Sequence, residues 1–116
     1  MEAVLRWFNV ITGIDEPITS HQPQTYQLMQ NYPNPFNPGT TIAFYLPAPS
    51  EVTLTVYDIT GQKVRTLFQG QASPGEHQIY WDGKNEAGET VSSGVYVYQL
   101  NANQTFQAVR KMILMK

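Results

Sequence analysis

The sequence predicts an all-β sandwich of about seven antiparallel strands, and three observations carry that expectation. Apolar and polar residues alternate over several stretches, the period of a half-buried strand; Glu51-Val52-Thr53-Leu54-Thr55-Val56-Tyr57 is the clearest. Turn-forming residues separate such stretches about every 8–12 residues, the spacing of a sandwich. The charged fraction is only 14% of the 116 residues, against about 25% in an ordinary domain. Thr, Ser, Gln, Asn, Gly and Pro take the difference, a composition suited to a β domain that works outside the cytosol.

In chain order, residues 1–13 carry Val4, Leu5, Trp7, Phe8, Val10 and Ile11 and read as a remnant of an upstream module or a vector-derived start. Residues 14–25, with Pro17 and Pro23 and no periodicity, read as an extended linker. The domain proper spans 26–116. Its first part, to Gly39, holds Pro33, Pro35 and Pro38, which fix φ and keep the residues before them extended. A stiff, polyproline-like loop is expected there, anchored by Tyr32 and Phe36; a ligand for an aromatic groove is the other reading. Ile42, Phe44 and Leu46 alternate with Thr41, Ala43 and Tyr45 in the first long strand, which Pro47 to Ser50 ends. In the next, Val52, Leu54 and Val56 face inward and the threonines outward. Asp58-Ile59-Thr60-Gly61 is a turn, since Asp can accept from the backbone ahead of it and Gly admits positive φ. In the strand from Gln62 to Phe68, Val64 and Leu67 fall out of phase, which a bulge explains. Residues 70–75 read as a loop and Glu76 to Asp82 as a strand with Ile79 and Trp81 on one face. Residues 83–93 are a polar loop, and 94–101 and 104–115 a hairpin across Asn101-Ala102-Asn103. The pattern is of immunoglobulin-like type, with Trp81, Tyr96, Tyr98 and Leu100 filling its middle.

Several chemistries fit poorly. A net charge of −2 argues against nucleic acid and anionic membranes as partners. Without cysteine there is no thiolate nucleophile or thiolate metal site. His21 falls in the linker, and the strand places His77 and Glu76 on opposite faces, so no triad forms. The oxygens of Asp82, Asn85, Glu86 and Glu89 suggest a hard-cation loop, but Lys84 sits among them and the spacing is that of Asx turns. Tyr45, Tyr57 and Tyr80 on outward faces would suit a carbohydrate; cross-strand packing explains them equally. The domain is expected to be non-catalytic, with no cofactor and no metal. No run of about 20 apolar residues spans a membrane, and Met1 to Phe8 lacks the features of an export peptide. An exported domain with this start is expected to be part of a longer precursor.

The end of the chain, Phe106 to Lys116, is apolar and patterned as a strand with Arg110, Lys111 and Lys116 in and around it, so it is expected to dock in a sheet rather than fray. Five motifs in order, Gln30 to Ile42, Val56 to Val64, Trp81-Asp82-Gly83, Ser93 to Leu100 and Arg110 to Leu114, resemble the C-terminal sorting domains of the bacterial type IX secretion system. The layout also resembles the immunoglobulin-like domain of flagellar hook-capping proteins. The resemblance covers 26–116. It implies a secretion signal that takes a covalently attached upstream cargo through the type IX translocon to the cell surface or medium. A cell-surface transpeptidase-like enzyme then removes the signal, with cleavage in the linker 14–25. It implies that Arg110, Lys111, Met112 and Leu114 of the terminal strand are read, with Asp58, Gly61, Gly94 and Tyr96 in the other family motifs. The alternative is a structural or adhesive module of a secreted multidomain protein, carbohydrate binding being one form it could take. A finish on Met115-Lys116 favours the sorting reading.

Overall fold

In a computed structural model of the chain the structure describes residues 25–116; residues 1–13 and all of the linker except Thr25 lie outside them. Seven strands form: β1 (Gln27–Leu28), β2 (Thr40–Leu46), β3 (Ser50–Asp58), β4 (Lys63–Ala72), β5 (Gly75–Trp81), β6 (Gly94–Ala102) and β7 (Phe106–Leu114). They make two antiparallel sheets, ordered β1-β2-β5 and β4-β3-β6-β7. The all-β sandwich is therefore as the alternation predicts.

Alternation builds the core. Ile42, Phe44 and Leu46 of β2 and Trp81 of β5 face Val52, Leu54 and Val56 of β3, Tyr96, Tyr98 and Leu100 of β6, and Met112 and Leu114 of β7; all are buried. Trp81 is the hub. Its indole meets Tyr96 edge-on, with ring centroids 5.7 Å apart, and Phe36 at 5.6 Å. Its Nε1–H donates to the carbonyl of Lys84 at 2.9 Å, which satisfies the one polar atom the ring carries into the core.

The phase slip in β4 is two bulges. The β3–β4 register runs Leu54↔Phe68 then Thr55↔Thr66, and Val56↔Arg65 then Tyr57↔Lys63, leaving Leu67 and Val64 unmatched. The extra residues let Val64, Leu67 and Phe68 all pack against the core despite their spacing.

Four expectations are corrected. Residues 70–72 are strand, not loop, because β3 starts at Ser50 and offers pairing groups as far as Ala72. The β6–β7 turn falls at 103–105, where Asn103 and Gln104 take φ of 54° and 57°, rather than at 101–103. Thr55, on the outward face, is nonetheless buried, being flanked by Thr66 and Gln99 on the central strand. The proline-rich segment is anchored by Phe36, 2% exposed, and not by Tyr32, 81% exposed. An antiparallel bridge from Tyr32 to Thr41 fixes the backbone so that Tyr32 points out while its neighbour Asn31 points in. Asn31 Nδ2 donates to Thr40 Oγ1 at 3.0 Å and to the Pro33 carbonyl at 3.1 Å, so this buried amide anchors the loop by hydrogen bonds. Held down by such bonds and by the Tyr32 and Phe36 bridges, the segment is a strap across the sandwich rather than a free polyproline rod.

Candidate recognition surface

The four-stranded sheet brings most of the sequence-predicted site residues to one end. Asp58 of β3 is the register partner of Tyr96 on β6, and Tyr96 of Met112 on β7; Gly94 pairs with Leu114 one step further on. Residues widely separated in sequence thus lie in two cross-strand rows with only the Val95–Ile113 row between them. The Asp58 turn closes the β3–β4 end. Asp58 Oδ1 accepts from Thr60 N–H (2.9 Å), Thr60 Oγ1–H (2.6 Å) and Gln62 N–H (3.0 Å). The Thr60 hydroxyl first, then the backbone of Gln62, hold its carboxyl below the usual carboxylate value of 3.8. Gly61 sits at φ 90°, a conformation a side chain would resist. Ile59 projects from the turn into solvent. An open groove beside this turn is lined by Asp58, Gln62, Lys63, Asn85, Ser92 and Tyr96 among others.

The predicted site residues divide sharply by accessibility. Tyr96, Met112 and Leu114 are buried; the Tyr96 hydroxyl donates to the Ser92 carbonyl at 2.6 Å, and the other two are core. In the folded domain they hold the terminal strand down; Met112 and Leu114 offer no surface to a partner, and Tyr96 shows only a sliver at the wall of the groove. Arg110 is exposed but engaged: its Nε–H donates to the Leu28 carbonyl at 2.6 Å, tying β7 to β1 across the seam between the sheets. Lys111 is exposed on the outer face. Alternation places Val109, Ile113 and Met115 on that face with it, 55%, 37% and 57% exposed. The accessible face of the terminal strand is thus an apolar stripe around one lysine, and Val109, Ile113 and Met115 are the members sequence reasoning missed. The signal was present in the alternation of Val109, Lys111, Ile113 and Met115, but which phase faces the core is decided by β6.

Backbone groups on the outer edge of the C-terminal part of β7 are also occupied. Phe36 N–H donates to the Ile113 carbonyl and Met115 N–H to the Phe36 carbonyl, each at 3.0 Å. Ile113 N–H donates to Asn34 Oδ1 at 3.0 Å, and Gln30 Nε2 to the Lys111 carbonyl at 2.8 Å. From the Lys111 carbonyl to the Met115 N–H the strap covers this edge.

The other candidates resolve into structure. His77 stacks on Phe44, its register partner, with ring centroids 5.3 Å apart, and its Nε2 lies 2.7 Å from the Ser73 carbonyl. In the 82–89 loop Asp82 Oδ1 accepts from Lys84 N–H and pairs with Arg65 at 3.2 Å, and Asn85 Oδ1 accepts from the N–H groups of Ala87 and Glu89. Glu86 Oε2 accepts from Thr66 N–H across to β4 at 2.8 Å. Of the oxygens that suggested a cation loop, those of Asp82, Asn85 and Glu86 thus brace backbone and Glu89 Oε1 accepts from Asn85 Nδ2 at 3.3 Å; no group of three or more metal-ligating side chains occurs among the described residues. The three tyrosines never form a row. Tyr57 lies on the four-stranded sheet, Tyr45 and Tyr80 on the other, and Tyr45 is buried.

Residues 31–105 match the family model described as the FlgD Ig-like domain. A stretch of 53 residues, 46% of this chain, is 42% identical to the basal-body rod modification protein FlgD of Salmonella typhimurium, and the same holds for that of Salmonella typhi. The match spans only 23% of those relatives' length. Among solved structures, dimeric latent PorU from Porphyromonas gingivalis is similar with a TM-score of 0.65 and 21% identity, over 84% of this chain and 10% of that one. PorZ of the same organism, described as an essential bacterial surface component of the type-IX secretion system, is similar with a TM-score of 0.51 and 25% identity, over 75% of this chain and 11% of that one.

Proposed function

Because the chain belongs to the FlgD Ig-like domain family, we propose that residues 26–116 act as a non-catalytic immunoglobulin-like sorting module. On this reading the module directs a covalently attached upstream cargo across the outer membrane through the type IX secretion system. The observation that carries the reading is the likeness to PorZ, a surface component of that system, in a chain whose terminal strand bears the sorting-type ending Arg110 to Leu114. The partners are the translocon and a cell-surface transpeptidase-like enzyme that removes the module in the linker 14–25, and the destination is the cell surface or medium. Lys111 is the one residue of that ending with a charged side chain both exposed and unspent in the bonds that hold β7. It is the residue we assign to contact with the machinery, with Ile113 and Met115 beside it.

The test is export of a fluorescent cargo, carrying a normal signal peptide, fused to residues 1–116 in a host with the type IX system. Lys111→Glu leaves the fold intact, because a solvent-facing strand position costs within about 0.5 kcal/mol. Its fusion is expected to stay in the periplasm while the parent reaches the surface. If the folded Lys111→Glu fusion is exported like the parent, Lys111 is not read; if the parent itself stays inside, the sorting reading fails. A second reading, a structural module in a surface assembly, draws on the 42% identical match to the basal-body rod modification proteins. It predicts that a folded parent fusion is not exported.

A further inference from the structure

An edge strand offers a row of unpaired N–H and C=O groups and invites another strand to pair. β7 is the edge of the four-stranded sheet, and its outer face is apolar at Val109, Ile113 and Met115. A second copy of this chain carries the same alternation, so two β7 strands joined edge to edge would set their exposed apolar residues against one another as cross-strand neighbours. What stands in the way is the strap. Four bonds from Gln30, Asn34 and the backbone of Phe36 occupy the carbonyls of Lys111 and Ile113 and the N–H groups of Ile113 and Met115. Phe36 fixes the strap from beneath by inserting against Trp81. Asn34 and Gln30 act through side chains, which is how a loop without strand geometry can satisfy a strand's edge.

We propose that the Gln30–Phe36 strap is an edge guard, which masks the terminal strand and keeps the chain from pairing with a second copy through β7. The guard is independent of the sorting reading, since it concerns only the edge and not what reads the outer face. Lys111 supports it, because a lysine on an edge strand opposes burial against another strand.

The test uses the full chain. In Gln30→Ala/Asn34→Ala, two exposed side chains are removed and the core is untouched. The Ile113 amide is expected to exchange with solvent about tenfold faster, as loss of one hydrogen bond allows. The sedimentation mass is expected to rise from monomer towards dimer with concentration, while the parent stays monomeric. Asn34→Asp keeps an acceptor at the same place and is expected to restore slow exchange. Adding Ile113→Pro to the double variant removes the edge-facing donor without touching the β6 ladder, and is expected to return it to monomer. A double variant that stays monomeric at every concentration overturns the proposal. So does a dimer that persists with Ile113→Pro, and so does a parent that is itself dimeric.

Discussion

Tyr98 illustrates what a single side chain contributes here. It is fully buried on β6, and its hydroxyl donates to the Met29 carbonyl at 2.7 Å, pinning the segment that leads into the strap. Burial pushes its pKa from 10.0 up to about 12, against the opposing pull of the backbone at Asn31 and the charge of Arg110. Because the folded value is raised, the neutral phenol's contribution to stability is whole below pH 10.0 and is lost as pH rises towards about 12. Denaturant midpoints are expected to fall across that window. Phenolate absorbance of the folded protein is expected to show one tyrosine ionising late, a signal that disappears in Tyr98→Phe. If no late tyrosine is seen, the buried phenol is not as enclosed as its contacts indicate. The identity of this residue as core was readable from alternation in 94–101. Its partner was not, because Met29 lies 69 positions away and on no periodic stretch.

Among the elements, the joint between the strap and the 82–93 loop rests on a close approach. Gly83 has φ 80°, and a Cβ there would stand 2.7 Å from the Pro38 carbonyl. Gly83→Ala is expected to cost about 1–3 kcal/mol, read as a lowered denaturant midpoint with the parent's slope. A change within experimental error would mean that the two loops do not pack as closely as they stand. The strands themselves were legible, because a two-residue period survives any tertiary context that buries one face. A bulge was legible too, since Val64 and Leu67 could not otherwise share a core, but that there are two is set by the β3 register. What escaped was set by partners. β4 runs on to Ala72 only because β3 faces it there. Tyr32, an aromatic beside a proline, gives no local sign that the Thr41 bridge will turn it to solvent. The candidate site was half legible for the same reason. Its motifs were visible one by one, but their meeting in the rows Asp58–Tyr96–Met112 and Gly94–Leu114 is a matter of register. Burial then divides them into members that hold the strand and members that face outward.

At the scale of the whole molecule, the terminal strand is both the recognition surface we propose and part of what keeps the sandwich folded, and a deletion cannot separate the proposed role from the structural one. Removing residues 110–116 takes away Met112 and Leu114, both buried. Each is worth about 2–5 kcal/mol when truncated to Ala, and a domain has only about 5–15 kcal/mol in all. The deletion also strips Phe36 of both its backbone partners on β7, and Leu28 of its bond from Arg110. The truncated chain is therefore expected to lose cooperative thermal unfolding and the near-ultraviolet dichroism of Trp81. A cargo fused to it would stay inside the cell whether or not the strand carries a signal. Lys111→Glu keeps every one of those contacts and changes only what the outer face presents, so the two variants together distinguish a signal from a support. If the truncated chain melts as sharply as the parent, β7 is dispensable to the fold, and loss of export on truncation could then be ascribed to recognition alone.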